Sequence, residues 1–120
     1  MRSVALFEQD QENRYIYSMI LKERFTVDIV SNKEDFQTIT EKTNLIVLGF
    51  NHFNQYARDL VFAVSSHGPT SKIPLLLLIG VIDKGVQLPK PTNHRKVLFK
   101  PFTTQELITA IEEIEVCNNA

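Results

Sequence analysis

Two carboxylates, a lysine, a histidine and a cysteine are the side chains of this 120-residue sequence that invite chemistry. Glu8 and Asp10 follow the apolar run Val4-Ala5-Leu6-Phe7, and such a pair suits acid–base work or oxygen ligation of a cation. No nucleophile, histidine partner or glycine-rich phosphate loop accompanies them, so a hydrolytic site is disfavoured. His52 has no second ligand at metal spacing, since His67 and His94 fall on other loops. It reads as a solvated loop histidine, and no metal or cofactor is expected. Cys117 is the sole cysteine, which excludes an internal disulfide. With no base beside it, it reads as an inert thiol.

The elements that must position these residues follow from hydrophobic patterning. Asn44-Leu45-Ile46-Val47-Leu48-Gly49-Phe50 contains four apolar residues in succession, as in a strand buried on both faces, with Gly49 expected to end it. Val4–Phe7, the alternating Phe25–Val30, the very apolar Ile73–Ile79 closed by Gly80, and Lys96–Phe99 supply four more strands. Helices are expected over Gln11–Arg24, capped by Asp10, with Tyr15, Ile16, Met19 and Ile20 as its inward stripe. A short helix over Lys33–Glu41 would bury Phe36 and Ile39. After a loop over Asn51–Gln55, a helix over Tyr56–Ser65 would turn Leu60, Val61 and Val64 inward. His67-Gly68-Pro69 would end it, with Gly68 left-handed. Thr103 and Glu106 form a capping box for a last helix, whose stripe is Leu107, Ala110, Ile111 and Ile114.

Strands alternating with helices predict an α/β domain with a five-stranded parallel sheet, because parallel neighbours need crossovers. Between the last two strands, Gly85, Pro89 and Pro91 leave room for at most one helical turn, so the fourth helix should be short or missing. Hydrophobic residues are 43%, charged residues 22% and net charge is −1, ordinary proportions for one globular domain spanning 1–120. The charge balance gives no reason to expect nucleic-acid or membrane binding. No apolar run approaches the ~18 residues of a membrane span, and the amino-terminal one is too short for a signal peptide. An intracellular protein is expected. Phe50 and Phe53 are expected to cap the core, with an exposed partner anchor as the other reading.

With Lys100-Pro101-Phe102 between the last strand and last helix, the sequence from Val4 to Ile114 resembles a bacterial response-regulator receiver domain. The resemblance implies a doubly wound, flavodoxin-like sheet of order 2-1-3-4-5 and a cis Lys100–Pro101 bond. It also implies a phosphorylation site, and most of its positions depart from the pattern. The two acid positions fall on Glu8 and Gln9, the phosphoacceptor on Gly49, and the metal-binding carbonyl on Asn51. The hydroxyl position falls on Ile79 and the aromatic switch on Val97; the lysine alone matches, at Lys100. An acyl phosphate needs a carboxylate nucleophile, which glycine lacks. The sequence therefore looks like a pseudo-receiver, not an enzyme, with Lys100 paired to Glu8 or Asp10 in a partly exposed contact.

A narrower resemblance rests on Ile73–Gly80, Leu48-Gly49 and the proline-rich stretch that replaces the fourth helix. These look like the amino-terminal domain of sigma-54-dependent flagellar master regulators. Together the resemblances imply a cytoplasmic regulatory module, the first part of a longer transcription activator. It would act without phosphorylation by binding a protein partner or a second copy of itself. Tyr15, Tyr17 and Met19 on the first helix are the residues to inspect for exposure. The alternatives are phosphorylation at Glu8, Asp10 or His52, and a small ligand held beside Gly49 and Gly80.

Overall fold

A computed structural model describes residues 2–119; Met1 and Ala120 of the expected domain lie outside the described residues. In chain order the elements are β1 (Ser3–Glu8), α1 (Gln11–Leu21), β2 (Thr26–Ile29), a 3-10 turn (Lys33–Thr38) and β3 (Leu45–Phe53). There follow α2 (Gln55–Ser66), β4 (Leu75–Ile82), β5 (Arg95–Phe99) and α3 (Thr104–Asn119). The five strands form one parallel sheet, as the patterning predicts, in the order β2-β1-β3-β4-β5 that the resemblance implies. No helix lies between β4 and β5, where the prolines stand.

Two apolar layers sandwich the sheet, and strand alternation decides which residue enters which. Val4, Leu6, Leu45, Val47, Leu76 and Leu78 face α1 and α3, where they meet Tyr17, Leu21, Leu107, Ala110, Ile111 and Ile114. Ala5, Phe7, Ile46, Leu48, Leu77 and Ile79 face α2, where Leu60, Val61 and Val64 cover them. Phe50 and Phe53 are both buried in this second layer with their rings 5.8 Å apart, so they belong to the core. The capping box forms in both directions: Glu106 N–H donates to Thr103 Oγ1 and Thr103 N–H to Glu106 Oε1, each at 3.0 Å.

Several expectations are corrected. Helix α1 does not bury the stripe Tyr15, Ile16, Met19; those three are 67%, 50% and 53% exposed, while Tyr17, Ser18 and Leu21 are buried. Ile20 packs from the edge. Both stripes satisfy helical spacing, and the one that faces Phe25, Leu6 and α3 wins because those neighbours share its layer. The helix expected over Lys33–Glu41 is a 3-10 turn ending at Thr38, with Phe36 buried and Ile39 half-buried.

Nor do Gly49 and Gly80 end their strands. Strand β3 continues through the stretch expected as a loop, with His52 opposite Val81 and Phe53 opposite Ile82. The glycines instead admit close neighbours. A Cβ on Gly80 would lie 2.4 Å from the Asn51 carbonyl oxygen, and one on Gly49 would lie 2.2 Å from Glu8 Oε1. At the end of α2, Gly68 is not left-handed; among the described residues Gly85 alone has positive φ, at 83°. Thr70 takes over the capping task, its buried hydroxyl donating to the Val64 carbonyl at 2.6 Å. Thr70→Val keeps the shape and orphans that carbonyl. Urea denaturation should show a loss of about 1–3 kcal/mol.

Candidate functional site at the carboxyl edge of the sheet

Strand alternation carries Glu8, at the end of β1, onto the α1/α3 face with Val4 and Leu6. The parallel register sets it opposite Gly49. Lys100 follows β5 directly, and its N–H donates to the Ile79 carbonyl at 2.8 Å, extending the ladder by one bond. The Lys100–Pro101 peptide is cis, as the resemblance implies. These backbones bring Lys100 Nζ to 2.6 Å from Glu8 Oε1 and 2.9 Å from Asn51 Oδ1.

The pair is far less exposed than expected. The Glu8 side chain is 0% exposed and that of Lys100 11%. Glu8 Oε2 accepts the Asp10 N–H at 3.1 Å, so both carboxylate oxygens have partners. The ammonium also lies 5.6 Å from the centre of the Tyr17 ring, which stacks on Phe102 with centroids 5.5 Å apart. Tyr17, marked for inspection as an exposed residue, is thus a wall of the site. Its phenol is pushed up to about 12 by burial first, and then by the charges of Glu8 and Asp10.

Asp10 caps α1, accepting the Asn13 N–H at 2.9 Å. That backbone bond is the chief reason its carboxyl lies below the usual aspartate range. A lowered folded pKa means that the cap stabilises the fold above the ordinary aspartate pKa and is lost as pH falls through the lowered value. Asn51 links the two acids, since its Nδ2 lies 3.5 Å from Asp10 Oδ2 while its Oδ1 serves Lys100. Asn13 Nδ2 also donates to that Oδ1, at 3.3 Å.

Of the seven positions singled out, Glu8, Gly49, Asn51 and Lys100 converge. Gln9 is exposed at the strand end. Ile79 is fully buried and Val97 half-buried, both in the layer under α2 on the opposite face of the sheet. His52 projects from β3 with Nδ1 3.8 Å from the Asp83 carboxylate. Among the described residues no group of three or more His, Cys, Asp or Glu side chains could hold a metal. Sequence reasoning missed that the Glu8 carboxylate would occupy the very volume that glycine leaves at position 49. The glycine was the available signal, because a side chain deleted from a buried strand needs something to fill its space.

Neither a protein-family model nor a curated protein matches the sequence. Solved structures do match its fold. A response regulator receiver modulated diguanylate cyclase from Pelobacter carbinolicus aligns with 99% of this chain and 96% of its own, with TM-score 0.70 and 17% identity. A CheY-like response regulator from Mesorhizobium loti aligns with 94% and 98%, with TM-score 0.66 and 16% identity. A signal receiver domain of a two-component histidine kinase from Clostridium thermocellum aligns with 94% and 96%, with TM-score 0.64 and 14% identity. The chain therefore has the receiver fold, a five-stranded doubly wound sheet of order 2-1-3-4-5.

Removing one member of a buried ion pair strands the other charge. Lys100→Met should cost about 3–5 kcal/mol in chemical denaturation. Adding Glu8→Gln should restore most of that loss. A double-variant loss equal to the sum of the two single-variant losses would mean that the pair has no coupling.

Proposed function

We propose that this chain is a receiver-like regulatory module that works without phosphorylation, by binding a protein partner or a second copy of itself. One observation carries the reading: Glu8 Oε1 lies 2.2 Å from where a side chain at position 49 would begin. A receiver's phosphoacceptor needs both a carboxylate and free volume at that place. Here glycine offers no nucleophile. The volume is filled by a carboxylate that Lys100 already neutralises.

In this reading Glu8, Gln9, Gly49, Asn51, Ile79, Val97 and Lys100 are the degenerate remains of a phosphorylation site. The module binds no metal or cofactor and catalyses nothing. Magnesium needs several oxygen ligands, usually including a carboxylate, and the Glu8 carboxylate is committed to an internal ion pair. The lysine that would meet a phosphoryl group holds the edge in one state. Signalling would then run through surfaces. Tyr15, Ile16 and Met19, exposed together along α1, offer an apolar strip of the kind that carries interface energy. The proline-rich β4–β5 segment, without a fourth helix, supports placing the module in a cytoplasmic sigma-54-dependent activator.

Incubation with acetyl phosphate and magnesium, followed by intact-mass measurement, should show no added phosphoryl group. Gly49→Asp should also remain unmodified, since Glu8 fills the space. A stable adduct on the unaltered chain would move the assignment to Glu8, Asp10 or His52 as acceptor. For the surface, size-exclusion elution should shift to smaller mass on dilution, and Ile16→Glu with Met19→Glu should abolish the shift. A concentration-independent monomer would exclude the self-associating form and leave a separate protein partner.

A further inference from the structure

Arg95 opens β5 on the face that α2 covers, beside the segment that replaces the fourth helix. Its Nη1 donates to the Lys90 carbonyl at 3.1 Å and its Nη2 to Ser65 Oγ at 3.2 Å, both neutral acceptors. Its Nε–H is buried with no hydrogen-bond partner among the described residues. None of the ion pairs among those residues includes Arg95. A buried donor on a charged group without an acceptor is costly, and more so than on a neutral one. The nearest strand neighbour with a charge, Lys96, points to the other face, where Glu113 pairs with it.

Arg95, itself half-buried, lines a cavity of about 160 Å³, with Ser65, Ser71, Thr92 and His94 around it and an apolar floor from α2 and β4. That is roughly five water molecules' share of liquid volume, which leaves room for a phosphate group. Ser65 Oγ accepts from Arg95, so its own proton is free to turn toward the cavity. The same wall residue, His94, also borders a wider cleft at the amino edge of the sheet, about 720 Å³ in volume, that carries Lys72. A planar guanidinium favours the paired oxygens of phosphate and carboxylate, and is less strongly hydrated than an ammonium.

We propose that Arg95, with Ser65 and His94, forms a binding site for a phosphate-type oxyanion, either inorganic phosphate or the phosphomonoester of a small molecule. The site lies at the opposite end of β5 from Lys100, about 17 Å away at 3.3 Å per strand residue. It is independent of the Glu8–Lys100 pair, so its failure would leave the phosphorylation-independent reading standing.

The test is an amide NMR titration of the full chain with inorganic phosphate, replacing chloride at constant ionic strength. Saturating shifts should be confined to Ser65, Ser71, Thr92, His94 and Arg95. Arg95→Gln should weaken binding about tenfold or more, the effect of losing charge-assisted hydrogen bonds. Ser65→Ala, which keeps the charge, should weaken it less and serves alone if Arg95→Gln does not fold. Shifts that never saturate, that spread over the exposed lysines, or that survive both substitutions overturn the site. A parallel titration with adenosine monophosphate separates the sources. Tighter binding than phosphate assigns a phosphorylated small molecule, and equal or weaker binding assigns phosphate itself.

Discussion

Glu8 and Lys100, 92 residues apart in sequence, meet at 2.6 Å with the carboxylate wholly out of water. Burying either charge alone would cost several kcal/mol, so the ends of β1 and β5 are held together by the need to pair them. The contact spans the sheet across β3 and β4, and the two intervening strands accommodate it with glycines. Gly49 clears room for the carboxylate, and Gly80 lets the Asn51 backbone pass close by. Asn51 then accepts a second hydrogen bond from the ammonium. An ordered edge results from one ionic contact and the space made for it.

That arrangement bears directly on what a receiver fold can do here. A switch needs two states of comparable free energy and a chemical event that biases them. At this edge the cation and anion that could respond to an added charge already satisfy one another. Val97 and Ile79 are aliphatic side chains packed beneath α2 on the other face. Away from this edge the described residues expose an apolar strip on α1 and a β4–β5 segment with no helix over it.

Much of the fold was legible because it depends on local rules that few neighbours can override. Unbroken apolar runs marked the buried strands, the capping box marked the start of α3, and the prolines left room for at most one turn of a fourth helix. The errors share one cause. Tyr15, Ile16 and Met19 fit helical spacing as well as Tyr17, Ser18 and Leu21 do, and the face turned inward depends on what lies opposite. By local pattern alone, Gly49, Gly68 and Gly80 read as punctuation. In the structure two of them make room for neighbours, and Thr70 performs the capping expected of Gly68.

The sequence alone determined the class of fold and the absence of a side chain at position 49. These follow from residue type and period, which every conformation of the chain shares. Only the tertiary structure decided that Lys100 pairs with Glu8 and not Asp10, and that the pair is buried. It alone shows that Glu8 fills the space above Gly49 and that the Arg95 guanidinium is left short of an acceptor. Those outcomes depend on distances between residues remote in sequence, set by sheet register and strand parity. No local pattern encodes them.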